Sequence, residues 1–133
     1  MITAHFLAQI RAAIQRDDLD VHERLRLAPQ FPNGDLARSY KPADGVIPRR
    51  GAVLIALYAQ NGELYVPLTE RSGGLRSHTG EISFPGGSVD DGETPIQAAL
   101  REAYEEVGLM VHEPRILGTL SDTYVVVSNF SIT

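Results

Sequence analysis

The sequence predicts a single mixed α/β domain, in which a β-sheet is partly covered by helices. Three observations predict this fold class. Two segments, residues 3–15 and the residues after Thr94, place apolar side chains at helical spacing. Residues 52–59 form a continuous apolar run typical of a buried strand, and residues 115–120 and 123–133 favour strands. At 133 residues the chain suits one domain, so we expect one unit over residues 1–133.

Composition excludes several classes of protein. Lys and Arg number 12 against 17 Asp and Glu, a net charge of −5, without the basic surplus that binding to nucleic acid requires. No apolar run is long enough to span a membrane, and the opening residues lack the basic flank of a secretory signal. We therefore expect a cytoplasmic protein without nucleic-acid or membrane partners. Because its overall charge repels anions, an anionic substrate would require a few placed cations or a metal.

The elements before residue 90 follow from local signals. Residues 3–15 predict an amphipathic helix that ends near Asp17, and residues 19–26 allow a second short helix. Residues 28–50 contain four prolines and two glycines, so we expect irregular chain that wraps over the domain; residues 1–50 would thus comprise N-terminal helices and a wrapping segment. Asn61-Gly62 predicts the turn of a hairpin, and residues 82–84 predict a brief strand.

The helix predicted after Thr94 has well-marked ends. Thr94 is a candidate N-cap with Gln97 three residues later, which is the capping-box pattern, and Pro95 occupies the first helical position. Gly108 is a plausible stop. Its apolar stripe consists of Ile96, Leu100, Ala103 and Val107.

Beside that stripe lie three glutamates, Glu102, Glu105 and Glu106. Like charges at this spacing on a helix repel one another, so something must offset the cost. A solvated acidic face is one interpretation. The other is a divalent cation, and ligands that are all oxygen favour hard ions such as Mg²⁺ or Mn²⁺, which share their shell with phosphates.

The residues around the glutamates decide between the two interpretations. Gly87 is followed after five residues by Glu93, and after seven more by the segment REAYEEVGL, residues 101–109. This resembles the Nudix box of the Nudix hydrolases, G-x5-E-x7-R-E-U-x-E-E-x-G-U with U aliphatic, at every fixed position. Ala103 is a mild departure, because it is the smallest residue that counts as apolar at its position. The resemblance implies the Nudix fold, a mixed β-sheet sandwiched between helices.

The resemblance also implies roles for the motif residues. Glu102, Glu105 and Glu106 would bind Mg²⁺ or Mn²⁺, with the Gly87 carbonyl and Glu93 adding to the shell. The implied catalytic set is Arg101, Glu102, Glu105 and Glu106. Within it we expect Arg101 to pair with and orient a glutamate of the motif rather than to contact substrate, and we favour Glu105 narrowly over Glu106 as the base.

The preceding loop narrows the substrate. Residues 68–87 are similar to the L-T-x-R-S-x3-R-x3-G-x3-F-P-G-G signature of the coenzyme A pyrophosphatase branch, without departure at its fixed positions. The resemblance implies metal-dependent hydrolysis of coenzyme A or acyl-CoA to 3′,5′-ADP and 4′-phosphopantetheine or its acyl form. Arg71 and Arg76 are expected to bind phosphates as bidentate cations. A structural role is expected for His78. The full set predicted to bind substrate is Arg71, Ser72, Arg76, Gly80, Phe84 and Gly86.

Two alternatives stay open: a Nudix hydrolase of another compound, such as ADP-ribose or a nucleoside triphosphate, and a Nudix-fold module that binds without turnover. The choice between free and acylated coenzyme A, and between Mg²⁺ and Mn²⁺, also stays open. The resemblance ends at Thr133, where a further strand and a late helix are expected, so the chain is either C-terminally truncated or unusually short. Residues 123–133 could then present an edge strand that pairs two copies into a homodimer.

Overall fold

The computed structural model of the protein describes residues 4–16, 28–70, 80–110 and 116–133. The helix predicted over residues 19–26 lies outside this described part. Two helices and eight strands are present in it: α1 Ala4–Ile14, β1 Arg49–Val53, β2 Tyr58–Gln60, β3 Glu63–Tyr65, β4 Thr69–Glu70, β5 Ile82–Ser83, β6 Gly86–Ser88, α2 Pro95–Val107, β7 Thr123–Val125 and β8 Phe130–Ile132. Neither of these two helices combines the length and the apolar character needed to cross a membrane. The predicted mixed α/β class is confirmed.

The central sheet has four strands in the order β6-β1-β8-β7. Strand β1 runs antiparallel to β6, with Ala52 opposite Gly87, and parallel to β8, with Arg49 opposite Phe130. Strands β7 and β8 are antiparallel. Strand β1 therefore lies inside the sheet, and β6 is an edge strand among the described residues.

The single strand predicted over residues 52–59 is wrong, because the chain leaves the central sheet after Val53 and β2 begins only at Tyr58. The last backbone hydrogen bond between this segment and the chain leading into β6 is donated by the Leu54 N–H to the Pro85 carbonyl, at 2.8 Å. Pro85 has no N–H to return, so the ladder ends there. The predicted hairpin at Asn61-Gly62 is confirmed between β2 and β3.

The single strand predicted over residues 123–133 is also wrong. It is an antiparallel hairpin of β7 and β8, in which a turn over residues 126–129 reverses the chain. Asn129 has a φ of 52°, and its side-chain oxygen accepts a hydrogen bond of 3.0 Å from the Tyr124 hydroxyl. Asparagine tolerates this left-handed backbone, which makes it a common turn residue. Residues 116–120, the described part of another predicted strand, are not in a strand.

Both predicted ends of α2 are confirmed. The Thr94 hydroxyl accepts a hydrogen bond from the Gln97 N–H at 3.3 Å, and the Gln97 side chain accepts one from the Thr94 N–H at 2.9 Å. Pro95 begins the helix, and Gly108 ends it in the left-handed region with a φ of 67°. This capping box fixes the residue at which α2 begins.

The packing between α2 and the sheet depends on small residues. Ala98 and Ala103 are fully buried, whereas Ile96 and Val107, two members of the predicted apolar stripe, are 39% and 40% exposed. The predicted core face is therefore wrong except at Ala103 and in part at Leu100, which is half-buried. Alanines face the sheet because small residues of β1 and β6, namely Gly51, Ala52, Gly86 and Gly87, allow the helix to approach closely.

Candidate functional site

The site is built where β6 meets α2. Strand β6 carries the glycine pair Gly86-Gly87, and the connection to α2 is tightened by a hydrogen bond of 3.0 Å from the Glu93 N–H to the Asp90 carbonyl. Gly92 in this turn has a φ of 81°, a backbone conformation that favours glycine. The short turn brings the glutamates of α2 back alongside the two glycines.

Arg101 is the centre of an ion-pair network in this region. It binds Glu93 with two parallel hydrogen bonds, from Nε to Oε1 and from Nη2 to Oε2, each 3.0 Å long. Its Nη1 donates to Glu102 Oε1 at 2.8 Å and its Nη2 to the Ser88 carbonyl at 3.0 Å. The guanidinium thereby ties the helix to β6 and to the turn between them.

These contacts set the protonation of Glu93. Hydrogen bonds from Arg101, and then from the Asp90 N–H at 3.1 Å, hold the pKa of the Glu93 carboxyl below its usual value. Glu93 and Glu102 in turn raise the pKa of Arg101. Because its two oxygens already accept three hydrogen bonds, Glu93 has the least capacity left for a cation among the predicted metal ligands.

Glu102 lies directly against the second glycine of the pair. Its side chain is 19% exposed, and a Cβ atom at Gly87 would overlap its carboxylate. The missing side chain at Gly87 is thus what makes room for this carboxylate.

The other two glutamates differ in how they are held. Glu106 Oε2 accepts a hydrogen bond of 3.1 Å from the Gly86 N–H. The Glu105 side chain is 57% exposed, and its closest ion-pair partner in the described part of the chain is Arg101 Nη1, at 3.8 Å. One carboxylate is therefore anchored to the glycine pair while its neighbour is turned towards solvent.

The predicted metal ligands are only partly brought together. Glu102 and Glu106 border the glycine pair. Among the described residues, however, no three acidic or histidine side chains converge closely enough to hold a metal ion. The donors fit a hard divalent cation in their chemistry, since all are carboxylate or carbonyl oxygens. The assignment of these ligands stays a prediction.

Only some of the residues predicted to bind substrate lie in the part of the chain that the structure describes. Arg71, Ser72, Arg76 and the neighbouring His78 lie outside the described residues. Gly80 is exposed with a φ of 78°, and Phe84 is half-buried. The brief strand predicted near residue 82 is confirmed as β5, which pairs with β4.

Sequence reasoning missed two residues that hold the ion-pair network. The Ser88 carbonyl accepts from Arg101, and Asp90 contributes its N–H to Glu93 and a carboxylate 3.7 Å from Arg101. The Asp-Asp-Gly sequence of residues 90–92 is a turn signal that could have located Asp90. The carbonyl of Ser88 has no signal in the sequence, because a backbone acceptor does not depend on the side chain.

Comparison with known proteins supports the identification of the motif as a Nudix box. Nudix hydrolase 3 of Caenorhabditis elegans is 44% identical over 82 residues, which are 62% of this chain and 34% of the relative. The peroxisomal coenzyme A diphosphatase NUDT7 of Mus musculus is 46% identical over 70 residues, 52% of this chain and 30% of the relative. Peroxisomal coenzyme A diphosphatase 1 of Saccharomyces cerevisiae is 51% identical over 71 residues, 52% of this chain and 21% of the relative.

These matches are partial, since the chain spans about a fifth to a third of the length of these three relatives. A family model described as the NUDIX domain matches residues 48–131. That range contains the central sheet, the glycine pair and the whole of α2. Because the model covers more than half of the sequence, the chain belongs to the NUDIX domain family.

Proposed function

We propose that the protein hydrolyses the pyrophosphate bond of coenzyme A or acyl-CoA, to give 3′,5′-ADP and 4′-phosphopantetheine or its acyl form. The observation that carries the proposal is the uninterrupted signature over residues 68–87, placed directly against a complete Nudix box. Two relatives that are 46% and 51% identical over about half of the chain are named coenzyme A diphosphatases. Their partial coverage leaves the substrate of this chain a proposal.

The proposed metal ligands are the carboxylates of Glu102, Glu105 and Glu106 with the Gly87 carbonyl and, as the least available, Glu93. Bound there, Mg²⁺ or Mn²⁺ would neutralise charge on the phosphate oxygens as a Lewis acid. Arg101 takes part as an orienting residue, because its hydrogen-bond donors are already directed at Glu93, Glu102 and the Ser88 carbonyl.

The proposed base is Glu105. Its carboxylate is exposed, whereas Glu106 is committed to the Gly86 N–H. Glu105 takes a proton from water as the water oxygen forms a bond to phosphorus, and the phosphorus–oxygen bond of the pyrophosphate bridge breaks. The electron pair of that bond leaves with the departing phosphate.

The proposed substrate contacts precede the helix in sequence. Arg71 and Arg76 would bind phosphate groups and supply the positive charge that a chain of net charge −5 otherwise lacks. Ser72, Gly80 and Phe84 also belong to the set proposed to bind substrate.

One assay tests the substrate. The protein is incubated separately with coenzyme A, ADP-ribose and a deoxynucleoside triphosphate, each with Mg²⁺ and with Mn²⁺, and the products are identified by mass. We expect 4′-phosphopantetheine from coenzyme A and little turnover of the other two. Turnover of ADP-ribose or the triphosphate alone would identify another Nudix hydrolase, and binding of coenzyme A without any turnover would identify a binding module.

Substitutions test the catalytic set in the same assay. Glu105→Gln and Glu106→Gln should each lower the turnover rate by roughly a hundredfold or more, the usual effect of removing a general base or an essential carboxylate. Glu63→Gln is the matched control, because Glu63 is an exposed residue of the β2–β3 hairpin. Near-normal turnover in both of the first two variants would remove these residues from the site.

Two further expectations stay predictions. The cytoplasmic location competes with the peroxisomal location in the names of two relatives, and fractionation of the native cells would decide it.

The homodimer would use β7, which has a strand neighbour on one side only among the described residues. Light scattering that shows a monomer at assay concentration would count against the dimer.

A further inference from the structure

The backbone register of β6 determines where the N–H of Gly86 points. Leu54 donates to the Pro85 carbonyl at 2.8 Å, and Val89 donates to the Arg50 carbonyl at 3.0 Å. In an antiparallel pair, positions that exchange backbone hydrogen bonds alternate with positions that do not. The Val53–Gly86 pair falls at a position of the second kind, next to the Leu54–Pro85 position. The Gly86 N–H therefore points away from β1.

This direction leads out of the sheet, because β6 has no strand on its other side among the described residues. An outward N–H at a sheet edge is an unused donor that costs free energy if it is shielded from water without a partner. The donor is used here by Glu106 of α2, whose Oε2 lies 3.1 Å from the Gly86 nitrogen. A carboxylate is a strong acceptor for a backbone N–H.

Glycine is required at this position for a separate reason. A Cβ atom at Gly86 would overlap the Ala52 carbonyl oxygen and lie 2.7 Å from the Val53 Cα, and both of these atoms belong to the backbone. The close approach of the two strands therefore depends on the absence of a side chain. It also sets how far the edge N–H lies from the helix.

We propose that Gly86 is a positioning residue for Glu106: its N–H fixes one carboxylate oxygen of Glu106 and leaves the other oxygen for chemistry. The catalytic consequence rests on the proposed hydrolase function, whereas the positioning contact does not. One N–H makes one good hydrogen bond, so this donor serves Glu106 and not a phosphate of the substrate. This changes the role of Gly86 from substrate binding to orientation of a catalytic carboxylate.

The length of the side chain at position 106 provides a test. Aspartate is one methylene shorter, so Glu106→Asp keeps the charge but moves the carboxylate out of hydrogen-bond range of the Gly86 nitrogen. Glu106→Gln loses the charge but keeps a carbonyl oxygen that can accept from the same N–H. Glu105→Gln is the matched control, because Glu105 makes no hydrogen bond to the glycine pair in the described residues.

The measurement is amide hydrogen exchange and the amide proton shift of Gly86, by NMR of the full ¹⁵N-labelled chain with and without Mg²⁺. In Glu106→Asp the Gly86 amide should move upfield and exchange at least about tenfold faster, as expected when a hydrogen bond to a charged acceptor is lost. In Glu106→Gln most of the protection should return. In Glu105→Gln the Gly86 resonance measured without Mg²⁺ should remain as in the wild type.

Unchanged exchange and shift of Gly86 in Glu106→Asp would overturn the proposal, whether or not the protein hydrolyses coenzyme A. A general loss of protection across β6 and β1 in that variant would also overturn it, because it would show a structural role for Glu106 in place of a local contact. If the amide responds as expected but no coenzyme A is cleaved, the proposed function fails and the positioning contact stands.

Discussion

Arg101 and Glu93 are joined by two parallel hydrogen bonds of 3.0 Å, in the fork geometry that only a guanidinium can make with a carboxylate. Arg101→Lys keeps the charge but loses the fork. We expect the melting temperature, followed by circular dichroism, to fall by a few degrees. Arg38→Lys is the control, because Arg38 has no ion-pair partner in the described part of the chain. Equal melting temperatures for Arg101→Lys and wild type would show that the charge alone is sufficient.

The same pair predicts how stability depends on pH. The pKa of Glu93 is lowered in the folded protein by Arg101 and by the Asp90 N–H. A lowered folded-state pKa stabilises the protein above the unfolded value of 4.5, and this contribution is lost as the pH falls through the folded pKa. Urea unfolding at pH 3 to 7 should therefore show a stability difference between wild type and Glu93→Gln that is constant above about pH 5.5 and shrinks below about pH 4.5. A difference that persists undiminished to pH 3 would contradict this.

The two glycines of the pair should respond differently to alanine. At Gly86 the new methyl group meets backbone atoms of Ala52 and Val53, which cannot rotate away. We expect Gly86→Ala to lower the free energy of unfolding by about 1–3 kcal/mol, measured by urea denaturation. Ser88→Ala, on the same strand, should change it by less than about 0.5 kcal/mol. An equal, small effect of both substitutions would show that the strands can separate at little cost.

At Gly87 the three atoms nearest to the new methyl group all belong to the carboxylate of Glu102, which a side-chain rotation can move. Gly87→Ala should therefore fold, with a melting temperature close to that of wild type. Displacing Glu102 should weaken Mn²⁺ binding by roughly tenfold, as measured by electron paramagnetic resonance titration of free Mn²⁺. Wild-type affinity in this variant would remove Glu102 from the proposed ligands.

The capping box of α2 gives a prediction that is independent of the site. Thr94→Ala removes the hydroxyl that accepts from the Gln97 N–H. The free energy of unfolding should fall by about 1 kcal/mol. Thr94→Ser keeps the acceptor and should stay close to wild type, and a similar loss in both variants would assign the effect to the methyl group.

Some of this structure could be predicted from the sequence because the signals are local. Thr94, Pro95, Gln97 and Gly108 fix both ends of α2 through contacts within a few residues. The end of β1 could not be predicted in this way, since it depends on the hydrogen bond between Leu54 and Pro85, two residues that are far apart in the sequence. Apolar periodicity also failed to identify the buried face of α2, because the close approach of the helix to small residues of β1 and β6 favours alanine over larger side chains.

The candidate site, too, was predictable only in part. The motif identified the glutamates, and Arg101 was expected to pair with one of them; the structure shows it bound to two, Glu93 and Glu102. Which glutamate is anchored could not be predicted, because the Gly86 N–H is directed at Glu106 by the register of β6 on β1. Register is a property of two strands together, and neither strand's sequence contains it alone.

The parallel pairing of β1 with β8 constrains the order in which the molecule can assemble. Arg49 lies opposite Phe130, so every element from β2 to β7, α2 included, belongs to the loop that this pairing closes. Closing so long a loop carries an entropic cost before any contact between the two strands offsets it, which slows folding relative to chains held together by local contacts. On the ribosome, β1 can therefore pair with β8 only after Phe130 has emerged. The hairpin of β2 and β3 and the helix that carries the glutamates can form earlier.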